Sequence, residues 1–174
     1  MIKSLYDKFM SWSSKGSIWL ISDTHFGSSH KGWLFPSEQV AIINKKVHKN
    51  DTFVHLGDVG DFEYIKQIKS SNKILIMGNH DTSVTLAQEY FDEVYSGPVF
   101  IAKKLLLSHE PLIIPFALNI HGHIHGDTKV YHKGHINLAS DVVGFTPISL
   151  SEIIKKGCMS KITDIHRNVI NNKI

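Results

Sequence analysis

The chain has 174 residues and a mass of 19.6 kDa, enough for one domain with a sizeable core. Hydrophobic residues make up 42% of it and charged residues 20%, as in soluble globular proteins. No apolar run approaches the roughly 18 residues of a membrane span, and the formal net charge of +3 is too small to indicate nucleic-acid binding by itself. Neither repeats nor linkers interrupt the sequence, which predicts a single domain over residues 1–174.

Strand-like and helix-like patterns alternate along the chain, which predicts an α/β fold. At the start, Ile2, Leu5, Phe9 and Trp12 fall at helical spacing, and packing of a helix over residues 1–13 on its own domain is favoured over docking to a partner. Charged residues in this segment argue against a signal peptide. Apolar runs predict strands at residues 18–22, 52–56, 73–77, 99–102, 105–107, 130–131 and 135–139, with hairpin turns at 103–104 and 132–134.

Three polar residues predict the starts of helices. Ser37 follows a proline, Asp61 precedes a short apolar stripe, and Ser149 forms a capping box with Glu152. The last of these helices should end at Gly157.

The usage of three residue types narrows the chemistry. Cys158 is the only cysteine, which excludes an internal disulfide and fits a reducing cytoplasm. Arg167 is the only arginine, although sites that grip phosphate normally use guanidinium groups. There are 12 histidines, several of them close to Asp and Asn, and this combination points towards metal ions.

Polar side chains of the kinds that bind metals follow five apolar segments, at the point where each segment ends. Because the carboxyl ends of parallel strands open into one crevice, we expect these side chains to converge. Carboxylate, amide oxygen and imidazole without thiolate suit Mn, Fe, Co or Zn. The five groups are Asp23-Thr24-His25, Gly57-Asp58, Gly78-Asn79-His80-Asp81, Ser108-His109 and His121-Gly122-His123-Ile124-His125.

Each group alone has an ordinary interpretation. Asp23 fits a helix cap beside a surface histidine, and Asp58 fits a turn after glycine. His109 fits a satisfied core histidine, and His123 with His125 fits a surface pair. Their joint occurrence in this order makes coincidence improbable.

The ordered set resembles the full signature of the calcineurin-like metallophosphoesterase superfamily, in particular its small single-domain bacterial and phage members. Residues 21–27 are similar to the opening motif, and residues 136–138, Asp141 and residues 145–150 resemble the closing segment. The likeness covers roughly residues 17–157. It implies a four-layer α-β-β-α sandwich of two mixed sheets, and a cytoplasmic protein encoded by a bacterium or phage.

The resemblance also implies a site with two divalent metal ions. One ion would be held by Asp23, His25, Asp58 and His125, and the other by Asp58, Asn79, His109 and His123, with Asp58 bridging them. Mn, Fe, Zn, Co and Ni are the candidates, with Mn expected to serve in vitro.

The mechanism expected from this site is in-line displacement at phosphorus by a hydroxide that bridges the two ions. The ions then replace the missing arginines as the phosphate receptor. His80 would stabilise charge or protonate the leaving group, with Asp81 orienting its ring.

Further residues are candidates for substrate contact or for support of the ligands. His121 would support a ligand or have a structural role, and His30 would contact substrate or lie on the surface. Phe26 and Lys31 belong to the same first loop, in which aromatic and basic side chains fit a nucleotide. For Trp33 and Phe35 in that loop, core packing is favoured over stacking on a base.

A phosphodiesterase acting on nucleotides or nucleic acid is the first functional hypothesis, by family analogy. A phosphomonoesterase is the alternative, and a non-catalytic metal-binding scaffold is less favoured because all seven ligands and His80 are present. The sequence leaves monomer and homodimer open.

Overall fold

The structure, a computed structural model, describes residues 2–14, 16–102 and 104–157. Residues 158–174, for which the sequence leaves a short helix, a strand or contact with a partner open, lie outside this range. The single domain over residues 1–174 stays a prediction. The strands are β1 (Lys3–Ser4), β2 (Ile18–Ile21), β3 (Thr52–His55), β4 (Asn72–Ile76), β5 (Glu93–Tyr95), β6 (Val99–Ala102), β7 (Leu105–Leu107), β8 (Leu118–His121), β9 (His135–Asn137) and β10 (Ile148–Ser149). The helices are α1 (Tyr6–Trp12), α2 (Pro36–Lys46), α3 (Val84–Ala87) and α4 (Leu150–Lys155), with a 3-10 helix at Phe62–Gln67.

The strands form two five-stranded mixed sheets, which confirms the predicted pair of mixed sheets. One has the order β10-β2-β3-β4-β5, in which β10 is antiparallel to β2 and the others are parallel. The other has the order β1-β6-β7-β8-β9, in which β6 and β7 are antiparallel and the remaining pairs are parallel.

Alternating apolar side chains place β2 between two cores. Ile18 and Leu20 join the cluster between the two sheets, whereas Ile21 joins a second cluster on the opposite face, as expected from the two-residue period of a strand. The second cluster also contains Val40 and Ile43 of α2. A helix layer therefore covers the outer face of this sheet.

Helices α1 and α4 pack at the cluster between the sheets. Trp12 of α1 and Ile153 of α4 are buried there, so the amino-terminal stripe packs on its own domain as predicted. Helix α1 is shorter than the helix predicted over residues 1–13, because residues 3–4 form strand β1 and pair with β6. Ser149 Oγ accepts the amide of Glu152 at 3.2 Å, as the capping box predicted.

Two local predictions were wrong. Helix α2 begins at Pro36 and is capped by Phe35 rather than Ser37, since proline suits the first helical turn and the Glu38 carboxylate accepts the Phe35 amide at 2.9 Å. Residues 130–131 form only a bridge between Tyr131 and Ile136. The turn predicted at residues 132–134 joins these bridged residues.

Candidate metal centre

The parallel strands bring the predicted ligands to one edge of the fold. β2, β3 and β4 are neighbours, so the chain beyond them carries Asp23, Asp58 and Asn79 to the same end. In the other sheet, β7 and β8 are parallel neighbours, and His109 and His123 follow them. The centre therefore lies where the carboxyl ends of the parallel strands of both sheets meet.

Backbone hydrogen bonds fix the ligand loops against each other. The Asp23 amide donates to Gly57 O at 2.9 Å, and the His25 amide donates to Asp58 O at 3.1 Å. The Gly122 amide donates to His109 O at 2.9 Å. Each loop is thus held by another loop of the same centre.

Four of the ligand candidates have a left-handed backbone, with φ between +40° and +68°: Asp23, His25, Asp58 and His123. Side chains other than glycine rarely adopt this conformation, which costs about 1–3 kcal/mol per residue. Such strain clusters at functional sites, where the surrounding structure imposes it.

Two glycines allow the loops to approach the carboxylates. A Cβ at Gly78 would lie 2.2 Å from Asp58 Oδ1, and a Cβ at Gly122 would lie 2.1 Å from Asp23 Oδ2. Both distances are far inside van der Waals contact, so only glycine fits there. The Gly78 and Gly122 positions of the motifs are therefore steric requirements of the centre.

Asp23, His25 and His125 form the first cluster. Their ligand atoms all lie within 4.8 Å of one another, and Nε2 of His25 is 3.3 Å from Nε2 of His125. His125 Nε2 lies 3.5 Å from Asp23 Oδ1. These separations suit donors around one ion.

Asp58, His109 and His123 form the second cluster, and Asn79 adjoins it. Nε2 of His109 is 2.9 Å from Asn79 Oδ1, 3.1 Å from His123 Nδ1 and 3.4 Å from Asp58 Oδ2. Because His109 Nδ1 donates to Leu56 O at 2.9 Å, Nε2 presents a lone pair when the ring is neutral. Several acceptor atoms then converge on one point, which fits a cation.

Asp23 gives a separate indication of a cation. Its side chain is buried and Oδ2 accepts the His123 amide at 2.9 Å, whereas Oδ1 is a buried atom without a hydrogen-bond partner among the described residues. Burial raises the pKa of Asp23, since desolvation disfavours the charged form. A metal ion at Oδ1 would remove this cost, so the residues present fit the implied metals.

Asp58 differs electrostatically from Asp23. Burial would raise the pKa of Asp58, but His109 in its protonated form, together with the hydrogen bond from the His80 amide, lowers it to about 2. Oδ2 of Asp58 lies 3.8 Å from His25 Nε2 and 3.4 Å from His109 Nε2, so this carboxylate faces both clusters.

His80 lies at the mouth of the centre, and Asp81 lies beneath it. The His80 side chain is 69% exposed, with Nε2 3.9 Å from Asp58 Oδ2. The Asp81 carboxylate is buried and accepts the amides of Gly78, Asp58 and Val59 at 2.8–3.0 Å. The expectation that Asp81 orients the His80 ring is corrected accordingly: Asp81 holds the backbone of two ligand loops.

Asp141, which the sequence indicates only as part of the segment resembling the closing motif, has a further role at the first cluster. Asp141 Oδ1 lies 3.0 Å from His125 Nδ1, and Oδ2 accepts the Gly126 amide at 2.7 Å. A carboxylate that binds the second nitrogen of a ligand histidine fixes its tautomer and orientation.

The remaining candidates lie in different environments. Phe26 is buried in the core beside Tyr64, with ring centroids 5.6 Å apart, so its ring lies away from the crevice. His121 is also buried, and its ring nitrogens bond Gly122 O at 2.6 Å and His135 Nδ1 at 2.8 Å.

The first loop also contains residues at the surface. His30 and Lys31 are exposed and line a crevice next to the first cluster. Trp33 is partly buried beside that cluster, whereas Phe35 is 75% exposed. Core packing of Phe35 was therefore a wrong expectation.

Two mixed sheets whose shared edge holds paired Asp and His clusters define a metallophosphoesterase fold. The model of the calcineurin-like phosphoesterase family matches residues 16–157, and the chain belongs to that family. As a member it is a hydrolase acting on phosphate esters, which the resemblance of the sequence had implied.

Solved structures extend the comparison. A protein of unknown function from Aquifex aeolicus is 30% identical, with a TM-score of 0.66 over 80% of this chain and 98% of that one. A nuclease from Pseudomonas putida is 21% identical, with a TM-score of 0.49 over 62% of this chain and 61% of that one. None of the curated proteins matches. Among the described residues, no helix is long and apolar enough to cross a membrane.

Proposed function

We propose that the chain is a dinuclear metal-dependent phosphodiesterase that hydrolyses nucleotide or nucleic-acid diesters. The observation that carries the proposal is the position of Asp58 Oδ2, within 4 Å of both His25 and His109. A carboxylate placed between two clusters of donors suits a bridge between two ions.

The proposed ligands of one ion are Asp23, His25, Asp58 and His125, and those of the other are Asp58, Asn79, His109 and His123. Oxygen and imidazole donors without thiolate suit Mn²⁺, with Fe, Zn, Co and Ni as further candidates. When bound, the ions supply an activated water and positive charge for the phosphate oxygens.

The protein positions the reacting groups around this centre. The Asp81 carboxylate accepts the amides of Asp58 and Gly78. These hydrogen bonds fix the position of the proposed bridging carboxylate relative to the loop that carries Asn79. His80 Nε2 lies at the mouth of the site, 3.9 Å from Asp58 Oδ2, and in this proposal it donates its proton to the leaving oxygen.

Two crevices favour a diester over a monoester. A crevice of about 540 Å³ lies on the side of His25 and His125, and another of about 270 Å³ lies on the side of Asn79 and His109. A diester carries a substituent on each side of phosphorus, and this arrangement gives room to both. A monoester needs only one of them.

The proposed roles of His80 and Asp58 are separable. We expect His80→Ala to keep its metal content and lose activity by about 10²–10⁴-fold, the usual contribution of general acid catalysis. Asp58→Asn should lose both metal and activity. Metal analysis and hydrolysis of bis-p-nitrophenyl phosphate with Mn²⁺ measure both, and a metal-free His80→Ala would contradict the assignment.

The same assay decides between the candidate functions. Hydrolysis of bis-p-nitrophenyl phosphate in preference to p-nitrophenyl phosphate is expected of a diesterase, and the reverse preference would establish a monoesterase. Turnover that chelation abolishes would eliminate the non-catalytic scaffold.

A further inference from the structure

The crevice beside the first cluster has a lining unlike that of its counterpart across the centre. Its walls include His30, Lys31, Trp33 and His80 together with the ligand candidates His25 and His125. The site therefore has an aromatic and basic side that its metal ligands do not account for.

Trp33 forms a fixed aromatic wall of this crevice. Its indole Nε1 donates to Thr24 O at 2.8 Å, which ties the ring to the first ligand loop. The ring also makes edge-to-face contacts with His25, His125 and Phe145, at centroid distances of 5.8, 5.5 and 5.4 Å. It is only partly buried, so a planar group in the crevice can pack on it without reordering the protein.

The two crevices differ in the charged side chains that line them, with a lysine in one and a glutamate in the other. Lys31 is exposed, and no carboxylate of the described residues lies within ion-pair distance of its ammonium group. The crevice on the other side contains Glu110 and, among its described lining residues, neither lysine nor arginine. An additional phosphate is therefore favoured only on the Lys31 side.

The side of Lys31 is also the side of His80, the proposed proton donor. We propose that this crevice is the leaving-group subsite and that it takes a nucleotide, with the base on Trp33 and an additional phosphate near Lys31. The inference rests on the proposed function. In the reaction, the water oxygen bonds to phosphorus and its proton passes to solvent. The bond from phosphorus to the leaving oxygen breaks with its electron pair, and that oxygen takes the His80 proton.

Thymidine dinucleotides with one additional terminal phosphate test the position of the charge. If the products carry 5′-phosphate, the leaving group is the 5′ nucleoside and pTpT should be cleaved faster than TpTp. If the products carry 3′-phosphate, TpTp should be faster. We expect a preference of about fivefold, the scale of one exposed ion pair, declining with salt.

Two lysine variants test whether this preference between the dinucleotides depends on Lys31. Lys31→Ala should abolish the preference between the two dinucleotides, whereas Lys45→Ala, which removes an exposed lysine of α2, should keep it. A preference for the opposite isomer, equal rates, or equal loss in both variants would overturn the proposal.

A second comparison tests Trp33. A dinucleotide that lacks the base on the leaving side should be cleaved about tenfold more slowly than the intact one, the scale of stacking on an aromatic side chain. Trp33→Leu should erase this ratio, and Phe35→Leu should retain it. The ratio is insensitive to a general loss of metal, because both substrates need the same ions.

Hydrolysis of bis-p-nitrophenyl phosphate distinguishes failure of the proposed phosphodiesterase function from failure of the leaving-group subsite. If wild-type protein with Mn²⁺ fails to cleave it, the proposed function itself fails. If it is cleaved while neither dinucleotide comparison gives the expected ratio, only the leaving-group subsite is refuted.

Discussion

Asp141 determines how His125 faces the centre. It binds the ring nitrogen opposite the one that points towards Asp23, at 3.0 Å. Carboxylates in this position typically contribute 10–100-fold to metal affinity. The carboxylate is thus a positioning group rather than a ligand.

We expect Asp141→Asn to weaken Mn²⁺ binding by about 10–100-fold, measured by calorimetric titration of metal-free protein. Asp127→Asn is the matched control, because Asp127 lies 2.7 Å from His132 outside the two clusters. Equal affinities of both variants would show that Asp141 does not act through His125.

His55 is a buried histidine that is satisfied only in its neutral form. Its Nδ1 accepts the Gly57 amide at 3.2 Å, and Nε2–H donates to Thr24 Oγ1 at 3.0 Å, since that hydroxyl itself donates to Val59 O. Burial lowers the pKa of His55 to about 3. A proton on Nδ1 would face the Gly57 N–H.

The stability of the metal-free protein should therefore fall with acidification. Between pH 6.5 and pH 3 the unfolded chain binds a proton at His55 that the folded chain does not, so stability decreases as pH falls through this window. The expected contribution of His55 alone to this loss is about 2 kcal/mol by pH 5. Urea unfolding at pH 7.5 and pH 5 measures it.

Two variants assign this pH effect. His55→Gln should be less sensitive to the change from pH 7.5 to pH 5 than the wild type, whereas His48→Gln, at an exposed position, should behave like the wild type. An unchanged sensitivity in His55→Gln would assign the effect to other groups.

Among the elements, helix α1 is linked to β5 through the carboxylate of Glu93. Glu93 accepts hydrogen bonds from Lys8 Nζ at 2.9 Å and Trp12 Nε1 at 3.2 Å, and also from Tyr95 Oη. Burial would raise the pKa of Glu93, but these donors lower it. The buried Trp12 ring therefore depends on Glu93 for its only polar group.

We expect Glu93→Ala to destabilise the protein by about 1–2 kcal/mol, because it leaves the Trp12 indole N–H unpaired. Chemical unfolding measures this change. Glu89→Ala is the matched control. It removes an exposed glutamate four residues earlier in the chain and should change stability little. Similar losses in both variants would mean that the attachment contributes nothing.

At the scale of the whole molecule, metal binding should stabilise the fold. The centre joins loops from both sheets, and Asp23 is buried with one oxygen that has no hydrogen-bond partner among the described residues. Mn²⁺ at 100 times its dissociation constant should add about 2.7 kcal/mol, which raises the melting temperature by about 5–10 °C for a chain of this size.

Thermal unfolding with Mn²⁺ and with EDTA measures this shift. Asp58→Asn should lose most of it, because the proposed bridge is removed. A melting temperature that does not respond to metal at concentrations where dialysis shows saturation would contradict coupling between the centre and the fold.

Local patterns of the sequence determined six of the ten described strands, but not β1, β5, β8 and β10. The apolar runs before Asp23, Asp58 and His109 identify strands because strand formation and turning depend on neighbouring residues. The need for glycine at Gly78 and Gly122 is instead tertiary, since a side chain there would collide with Asp58 or Asp23, which are distant in sequence. The α/β class and the expectation of a metal site were therefore readable from residue patterns, whereas phosphoester hydrolysis followed from the resemblance to the family.

Tertiary structure decided the contacts between segments distant in sequence. Asp141 reaches His125 from 16 residues away, and Trp33 lies beside that same histidine only because the first loop folds across the sheet edge. Asp81 turned towards the backbone of Asp58 instead of the His80 ring. These contacts depend on the path of the loops and on the register of the strands. Neither can be read from residue types and their spacing.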